Sequence, residues 1–156
     1  MSRPTARKPT VISSGYQTSI VRTAIAALLV VVGIVWIVVY INYAKDAAEF
    51  SIPGAKKPDN PLPWMADLKL WNYAIGLGLV FLGLAVSAHK STPLGRGRGV
   101  VIGMLGCFLI GLIWIVTFYF TGQDGPIPVL KDLNQYNLIV GIGFMGVGFA
   151  FATKWE

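Results

Sequence analysis

The sequence predicts an all-α integral membrane protein with four transmembrane helices, arranged as two tandem parallel helical hairpins. Hydrophobic residues make up 54% of the 156-residue chain, and the mean hydropathy is +0.63. Charged residues make up only 13%, about half the roughly 25% of a typical soluble domain. The apolar residues collect in four long runs, and similar segments recur in the two halves of the chain. The net charge of +6 is therefore interpreted through topology and lipid attraction, and no nucleic-acid partner is expected.

The predicted spans are the four apolar runs 24–41, 70–88, 100–120 and 138–152. About 20 helical residues cross a hydrocarbon core that is roughly 30 Å thick. The second and third runs reach that length, whereas the first and fourth need polar and aromatic residues from their ends. No run alternates as a barrel strand does, and a helix is the other structure that satisfies its own backbone in lipid.

The charges in the connecting segments predict the orientation of the spans. The N-terminal tail, 1–22, and the linker, 91–99, contain basic residues and no acidic ones, whereas segments 44–69 and 121–135 are nearly neutral. Because basic segments remain in the cytoplasm, both termini are predicted to be cytoplasmic. The tail has a composition typical of disorder, and it would either contact anionic lipid or dock a cytoplasmic protein. The basic residues expected to contact lipid are Arg3, Arg7, Lys8, Arg22, Arg96 and Arg98.

The second half of the chain repeats the first. Residues 33–38 match residues 111–116 at an offset of 78, and residues 76–78 match residues 141–143 at an offset of 65. The first outer loop therefore contains about thirteen extra residues, and both halves begin on the same side of the membrane. The predicted parts are the tail 1–22, a first hairpin 23–90, the linker 91–99 and a second, degenerate hairpin 100–156.

An aromatic and polar segment precedes each returning helix. It reads PWMADLKLWNYAI at 63–75, and a weaker copy reads PVLKDLNQYNLI at 128–139. Tryptophan at a membrane surface anchors helices whatever their function, so anchoring and partner contact both remain open for Trp64 and Trp71. The residues predicted to bind a partner are Trp64, Met65, Trp71, Asn72 and Tyr73.

Small residues at four-residue spacing recur in the predicted spans. This spacing lets helices approach closely in lipid, either within the chain or between copies in a homo-oligomer. Asn72 and Asn137 are expected to hydrogen-bond to each other between the returning helices. The residues predicted to pack helices are Gly33, Trp36, Gly78, Gly111, Trp114 and Asn137.

The motif Gly-x-x-Trp at 33–36, a Pro-containing outer loop and the run WMADLKLWNYAI at 64–75 together resemble the CrgA family of actinobacterial cell-division membrane proteins. The usual family member has two spans, so this chain looks like a tandem-duplicated member. The resemblance implies a non-enzymatic adaptor in the cell membrane, enriched at the septum or growing pole. Its implied partners are divisome and peptidoglycan-synthesis proteins, and it would influence assembly of the tubulin-like division ring.

The ionisable residues also favour a role without catalysis. No Asp, Glu, Lys, Arg or His lies in the four predicted spans, whereas proton and ion pathways are marked by such residues. The only histidine, His89, and the only cysteine, Cys107, lie in separate parts of the predicted topology, so no catalytic set, metal site or cofactor is expected. The alternatives are a small multi-pass transporter or permease subunit, which needs a polar cavity at mid-membrane, and an inert membrane-stability protein.

Overall fold

The structure is a computed structural model that describes residues 18–122 and 125–154. Within these residues all regular structure is helical, which confirms the predicted all-α class. The elements are α1 (Ile20–Val39), a π-helical turn (Tyr40–Ala44), α2 (Lys45–Glu49), α3 (Pro63–Leu68), α4 (Trp71–Ser87), α5 (Arg98–Thr121), α6 (Pro128–Leu133) and α7 (Tyr136–Ala152). The predicted lipid contacts Arg3, Arg7 and Lys8 lie outside the described residues.

Two of the helices are long and apolar enough to cross a membrane. One is the continuous 30-residue helix formed by α1, the π-helical turn and α2, and the other is α5, with 24 residues. The helices α4 and α7 have 17 residues each, or about 25 Å at ~1.5 Å per residue. Each is preceded by a short helix that begins with a proline, Pro63 in α3 and Pro128 in α6.

The long helices pair within each half of the chain. α1 packs along α4, and α5 packs along α7, while α4 and α7 make a smaller contact between the halves. A Cβ atom at Gly33 would lie 2.5 Å from the carbonyl oxygen of Gly76, and one at Gly111 would lie 2.6 Å from that of Gly141. These glycines stand at the two offsets that relate the halves, so the same helix crossing occurs in both hairpins.

The largest buried cluster lies where the two halves meet. Its buried members come from the π-helical turn, from α2 to α4 and from α6 and α7, and they include Tyr40, Met65, Tyr73, Leu133 and Phe144. The outward faces of α1 and α5 carry large apolar side chains that are more than half exposed, among them Leu28, Val31, Val35, Ile102, Leu109 and Ile113. Apolar surfaces of this extent are typical of contact with lipid or with another protein.

The linker between the halves is tied to the start of α1. The buried hydroxyl of Thr92 contacts the carbonyl oxygens of Ser87 and His89 and accepts a hydrogen bond from the backbone N–H of Gly95. The Arg22 guanidinium donates to the His89 ring at 2.9 Å and to the Ser91 hydroxyl at 3.2 Å. Hydrogen bonds from Arg22 therefore join the start of α1 to the residues that follow α4.

Candidate functional site

In each half, one asparagine joins the short helix to the long helix that follows it. The Asn72 side-chain amide donates to the carbonyl oxygens of Met65, at 2.7 Å, and Lys69, at 2.9 Å. The Asn137 amide donates to the carbonyl oxygens of Leu130, at 2.6 Å, and Asn134, at 2.8 Å. The predicted hydrogen bond between Asn72 and Asn137 is therefore wrong, because backbone carbonyls within each half take up the amide donors.

Both asparagines stabilise an unusual backbone turn. Lys69 has φ 46° and Asn134 has φ 45°, and they are the non-glycine residues with positive φ among those described. A positive φ is unfavourable for residues that carry a side chain, and glycine adopts it most readily. In each half the asparagine amide binds the carbonyl group of the strained residue itself. The same turn, with the same asparagine hydrogen bond, therefore precedes α4 in the first half and α7 in the second.

The two halves differ at one buried hydrogen bond. The Trp114 indole donates to Oδ1 of Asn137 at 3.2 Å. In the first half the equivalent atoms, Nε1 of Trp36 and Oδ1 of Asn72, are buried, and neither has a hydrogen-bond partner among the described residues. The Trp36 ring packs instead against Trp64, with ring centroids 5.6 Å apart.

The residue at position 64 accounts for part of this difference. Val129 stands in the second half where Trp64 stands in the first, and among the described residues Trp114 packs against the Phe144 ring, not against an indole. Buried polar atoms that lack a partner cost roughly 1–3 kcal/mol each. The first half therefore contains two buried polar atoms, Nε1 of Trp36 and Oδ1 of Asn72, that lack hydrogen-bond partners among the described residues. The exposed Trp64 packs against the first of these side chains.

We expect Trp114→Phe to destabilise the protein more than Trp36→Phe does. Both changes remove a similar amount of apolar ring, but only the first removes a hydrogen bond and leaves Oδ1 of Asn137 buried without a donor. The additional loss in the free energy of unfolding should be about 1–3 kcal/mol. Reversible unfolding of the two variants in detergent micelles measures it, and equal stabilities would show that the Trp114–Asn137 bond contributes nothing.

A buried ion pair joins the two halves at the same end of the bundle. Nζ of Lys45 lies 2.9 Å from Oδ1 and 2.8 Å from Oδ2 of Asp132, and their side chains are only 14% and 10% exposed. The Tyr73 hydroxyl also donates to Asp132, and the Tyr40 ring meets Tyr73 edge-on at 5.2 Å. Glu49 lies 3.6 Å from Lys45 on the exposed side.

This cluster is not evident from the sequence. Lys45 is one of four lysines that balance four acidic residues in segment 44–69, and Asp132 stands at the position that corresponds to Asp67, which is exposed. The duplicate of Tyr73 is Leu138, so the cluster is not repeated by symmetry. That departure from the repeat, a tyrosine in one half and a leucine in the other, is the signal that could have shown where the halves touch.

The structure divides the five residues predicted to bind a partner. Trp64 and Trp71 are exposed, at 50% and 70%, whereas Met65, Asn72 and Tyr73 are buried. Asn72 stabilises the turn at Lys69, Tyr73 donates a hydrogen bond to Asp132 of the ion pair, and Met65 belongs to the buried cluster. The two exposed indoles are the members of the set whose side chains are open to another molecule.

The residues predicted to pack helices or to contact lipid have different surroundings. Gly33 and Gly111 lie at the helix crossings, but no described atom lies within 4 Å of a Cβ placed at Gly78. Trp36 and Trp114 are half-buried, the first beside Trp64 and the second beside Asn137. The remaining predicted lipid contacts, Arg22, Arg96 and Arg98, are exposed near the linker.

Comparison with known proteins identifies the family. The family model described as cell division protein CrgA matches the chain twice, at residues 2–90 and 88–156. Cell division protein CrgA of Streptomyces avermitilis is 46% identical over 63 residues, which are 40% of this chain and 71% of that protein. No solved structure matches the chain significantly.

Two further relatives agree with this match. Cell division protein CrgA of Corynebacterium aurimucosum is 31% identical over 75 residues, which cover 45% of this chain and 80% of that protein. Cell division protein CrgA of Mycobacterium sp. strain KMS is 31% identical over 84 residues, which cover 54% and 80%. The chain belongs to the CrgA family, and it contains the family's unit twice in tandem.

Proposed function

We propose that this protein is a multi-pass membrane adaptor of cell division, which holds other membrane proteins at the septum without catalysing a reaction. The observation that carries the proposal is the tandem match of both halves to a cell-division family. The distribution of side chains supports it. Polar groups at the outer end are largely bonded within the chain, while extensive apolar faces are exposed.

The geometry suggests how such an adaptor presents its contacts. The asparagine-bound turns and the Lys45–Asp132 pair fix the short helices relative to the long ones. Trp64 and Trp71 then project from a stable base, and tryptophan is enriched among residues that dominate binding energy. In this proposal the partners are divisome and peptidoglycan-synthesis proteins, and the basic tail faces the tubulin-like division ring.

The proposal includes four spans with both termini in the cytoplasm. We expect a cysteine placed at Ala55 to react with an impermeant thiol reagent in intact cells, and a cysteine at Ser91 to react only after the membrane is opened. The native Cys107 is buried and would be replaced by alanine. Labelling of Ser91→Cys but not Ala55→Cys in intact cells would reverse the proposed orientation.

We expect a fluorescent fusion of the full chain to concentrate at the septum of dividing cells. The double variant Trp64→Ala/Trp71→Ala should remain in the membrane but recover several-fold less of the co-purified septal proteins, because the exposed indoles are removed while the Asn72 hydrogen bonds and the Lys45–Asp132 pair are kept. The measurement is quantitative co-purification from detergent-solubilised membranes.

A matched control separates binding from membrane anchoring. Tyr119 on α5 is 69% exposed and lies in the other helix pair, so Tyr119→Ala removes an aromatic ring without touching the proposed contact. Equal partner recovery from the double variant and Tyr119→Ala would leave the two tryptophans with an anchoring role. A uniform membrane signal from the fusion would count against the septal role altogether.

A further inference from the structure

The contact between the two hairpins is filled on one side and open on the other. Phe81 of α4 extends across to α7, where a Cβ at Gly143 would lie 2.8 Å from its ring, and it meets Phe144 edge-on at 5.0 Å. At the offset of 65 that relates the returning helices, Phe81 corresponds to Gly146, and Gly143 corresponds to Gly78. The second half therefore has no side chain to place beside Gly78.

The space beside Gly78 is part of a long groove. No described atom lies within 4 Å of a Cβ placed at Gly78 or at Gly146. The groove has a volume of about 490 Å³, and it follows α4 from Trp71 to Phe81, a rise of roughly 15 Å at ~1.5 Å per residue. Its opposite wall is formed by α6 and α7, and its lining includes Ala74, Leu77, Leu133, Tyr136, Ile139 and Val140.

We propose that this groove, between α4 and α7, binds a transmembrane helix of another protein that places a phenylalanine, or a side chain of similar bulk, beside Gly78. This inference rests on the proposed adaptor function and specifies a surface for one of its partners. The occupant is indicated by the chain itself, because the equivalent glycine, Gly143, already receives a phenylalanine from a neighbouring helix. The groove is also continuous with that contact.

The lining fits an apolar helix. No Asp, Glu, Lys, Arg or His side chain lines the groove, so a charged partner segment would lose its solvation without gaining a pair. In lipid, helices associate through close van der Waals packing of large side chains against small ones, and Ala74 and Gly78 are small residues one turn apart. Trp71 and Tyr136, 70% and 58% exposed, flank one end of the groove with the aromatic groups that favour interfaces.

The test uses the full-length chain in vesicles of phosphatidylcholine and phosphatidylglycerol. The probes are two leucine-based single-span peptides, which differ only in a central phenylalanine or alanine. A fluorescent donor on the protein linker and an acceptor on the peptide report association by energy transfer. We expect the phenylalanine peptide to bind about tenfold more tightly, which corresponds to about 1.4 kcal/mol. The phenylalanine is placed at the centre of the peptide because Gly78 lies near the middle of α4.

Two substitutions fill comparable open positions with the same side chain. Gly146→Phe places a ring at the duplicate position of Phe81, so it should fill the groove from within and abolish the preference between the peptides. Gly106→Phe places the same ring on α5, where a Cβ at Gly106 also has no described atom within 4 Å, and it should leave the preference unchanged. Unfolding of each variant in detergent confirms that both remain folded, and Gly78→Phe provides a second way to fill the groove.

Each remaining outcome overturns the proposal. Equal binding of the two peptides, or a preference that survives both Gly146→Phe and Gly78→Phe, would show that no bulky side chain enters beside Gly78. Energy transfer between copies of the chain in place of peptide binding would assign the groove to a second copy, and no transfer at all would assign it to lipid. Septal localisation is measured separately, so failure here would remove the groove and leave the adaptor role standing.

Discussion

Gly33→Leu should separate α1 from α4. A Cβ at this position would lie 2.5 Å from the carbonyl oxygen of Gly76 and 3.0 Å from the backbone nitrogen of Val80. Because these atoms belong to the backbone of α4, they cannot move aside as a flexible side chain would. We expect the free energy of unfolding to fall by about 3 kcal/mol, the upper end of the usual cost of overpacking. Reversible unfolding in mixed micelles, followed by energy transfer between the two helices, measures the loss.

Gly106→Leu is the matched control for this change. Gly106 is also a glycine within a long helix, but a Cβ there has open space among the described residues. Leucine has a higher helix propensity than glycine by up to roughly 1 kcal/mol, so this variant should be as stable as the parent or slightly more stable. Comparable losses at both positions would show that glycine at the crossing is not what sets the distance between α1 and α4.

Asp132→Ala should be the most damaging change at the junction of the halves. It removes the closer and more buried carboxylate partner of the Lys45 ammonium, which keeps only the exposed Glu49 at 3.6 Å, and it removes the acceptor of the Tyr73 hydroxyl. Truncating one member of a buried ion pair usually costs about 3–5 kcal/mol, because the other charge remains desolvated. We expect a loss within this range, together with a larger distance between labels placed on the two hairpins.

The duplicated chain supplies its own control for this prediction. Asp67→Ala changes the equivalent aspartate of the first half, which is exposed, and should alter stability by no more than about 0.5 kcal/mol. The double variant Lys45→Met/Asp132→Leu should recover much of the loss, since an apolar pair can replace a buried ion pair. If Asp132→Ala proved as mild as Asp67→Ala, the ion pair would not hold the halves together.

The sequence was sufficient to predict the helical class and the repeat of the two hairpins. Both depend on local patterns, namely long apolar runs and the recurrence of Gly33 and Trp36 as Gly111 and Trp114 at a fixed offset. The family match then followed from the aromatic run at 64–75. Such patterns can be recognised in a single sequence, because each is a short stretch of neighbouring residues or the recurrence of such a stretch.

The junction between the halves could not be predicted in this way. Lys45 and Asp132 are 87 residues apart, and their pairing depends on how two hairpins pack, which no local spacing encodes. The small-residue pattern likewise marked Gly33 and Gly78 alike, although only Gly33 meets a helix. The asparagine bonds were mispredicted because the positive φ of Lys69, which brings its carbonyl group to the Asn72 amide, has no sequence signal at a lysine.

The contact between α4 and α7 is small, and the covalent linkage between the two hairpins explains how it can suffice. Separate proteins that associate stably generally bury about 1,200–2,000 Å². Two units joined by one short connection instead meet at an effective concentration of the order of millimolar. Because the hairpins are covalently joined, their association does not depend on the concentration of the protein. The surface that they bury against each other can therefore be small without the two hairpins separating.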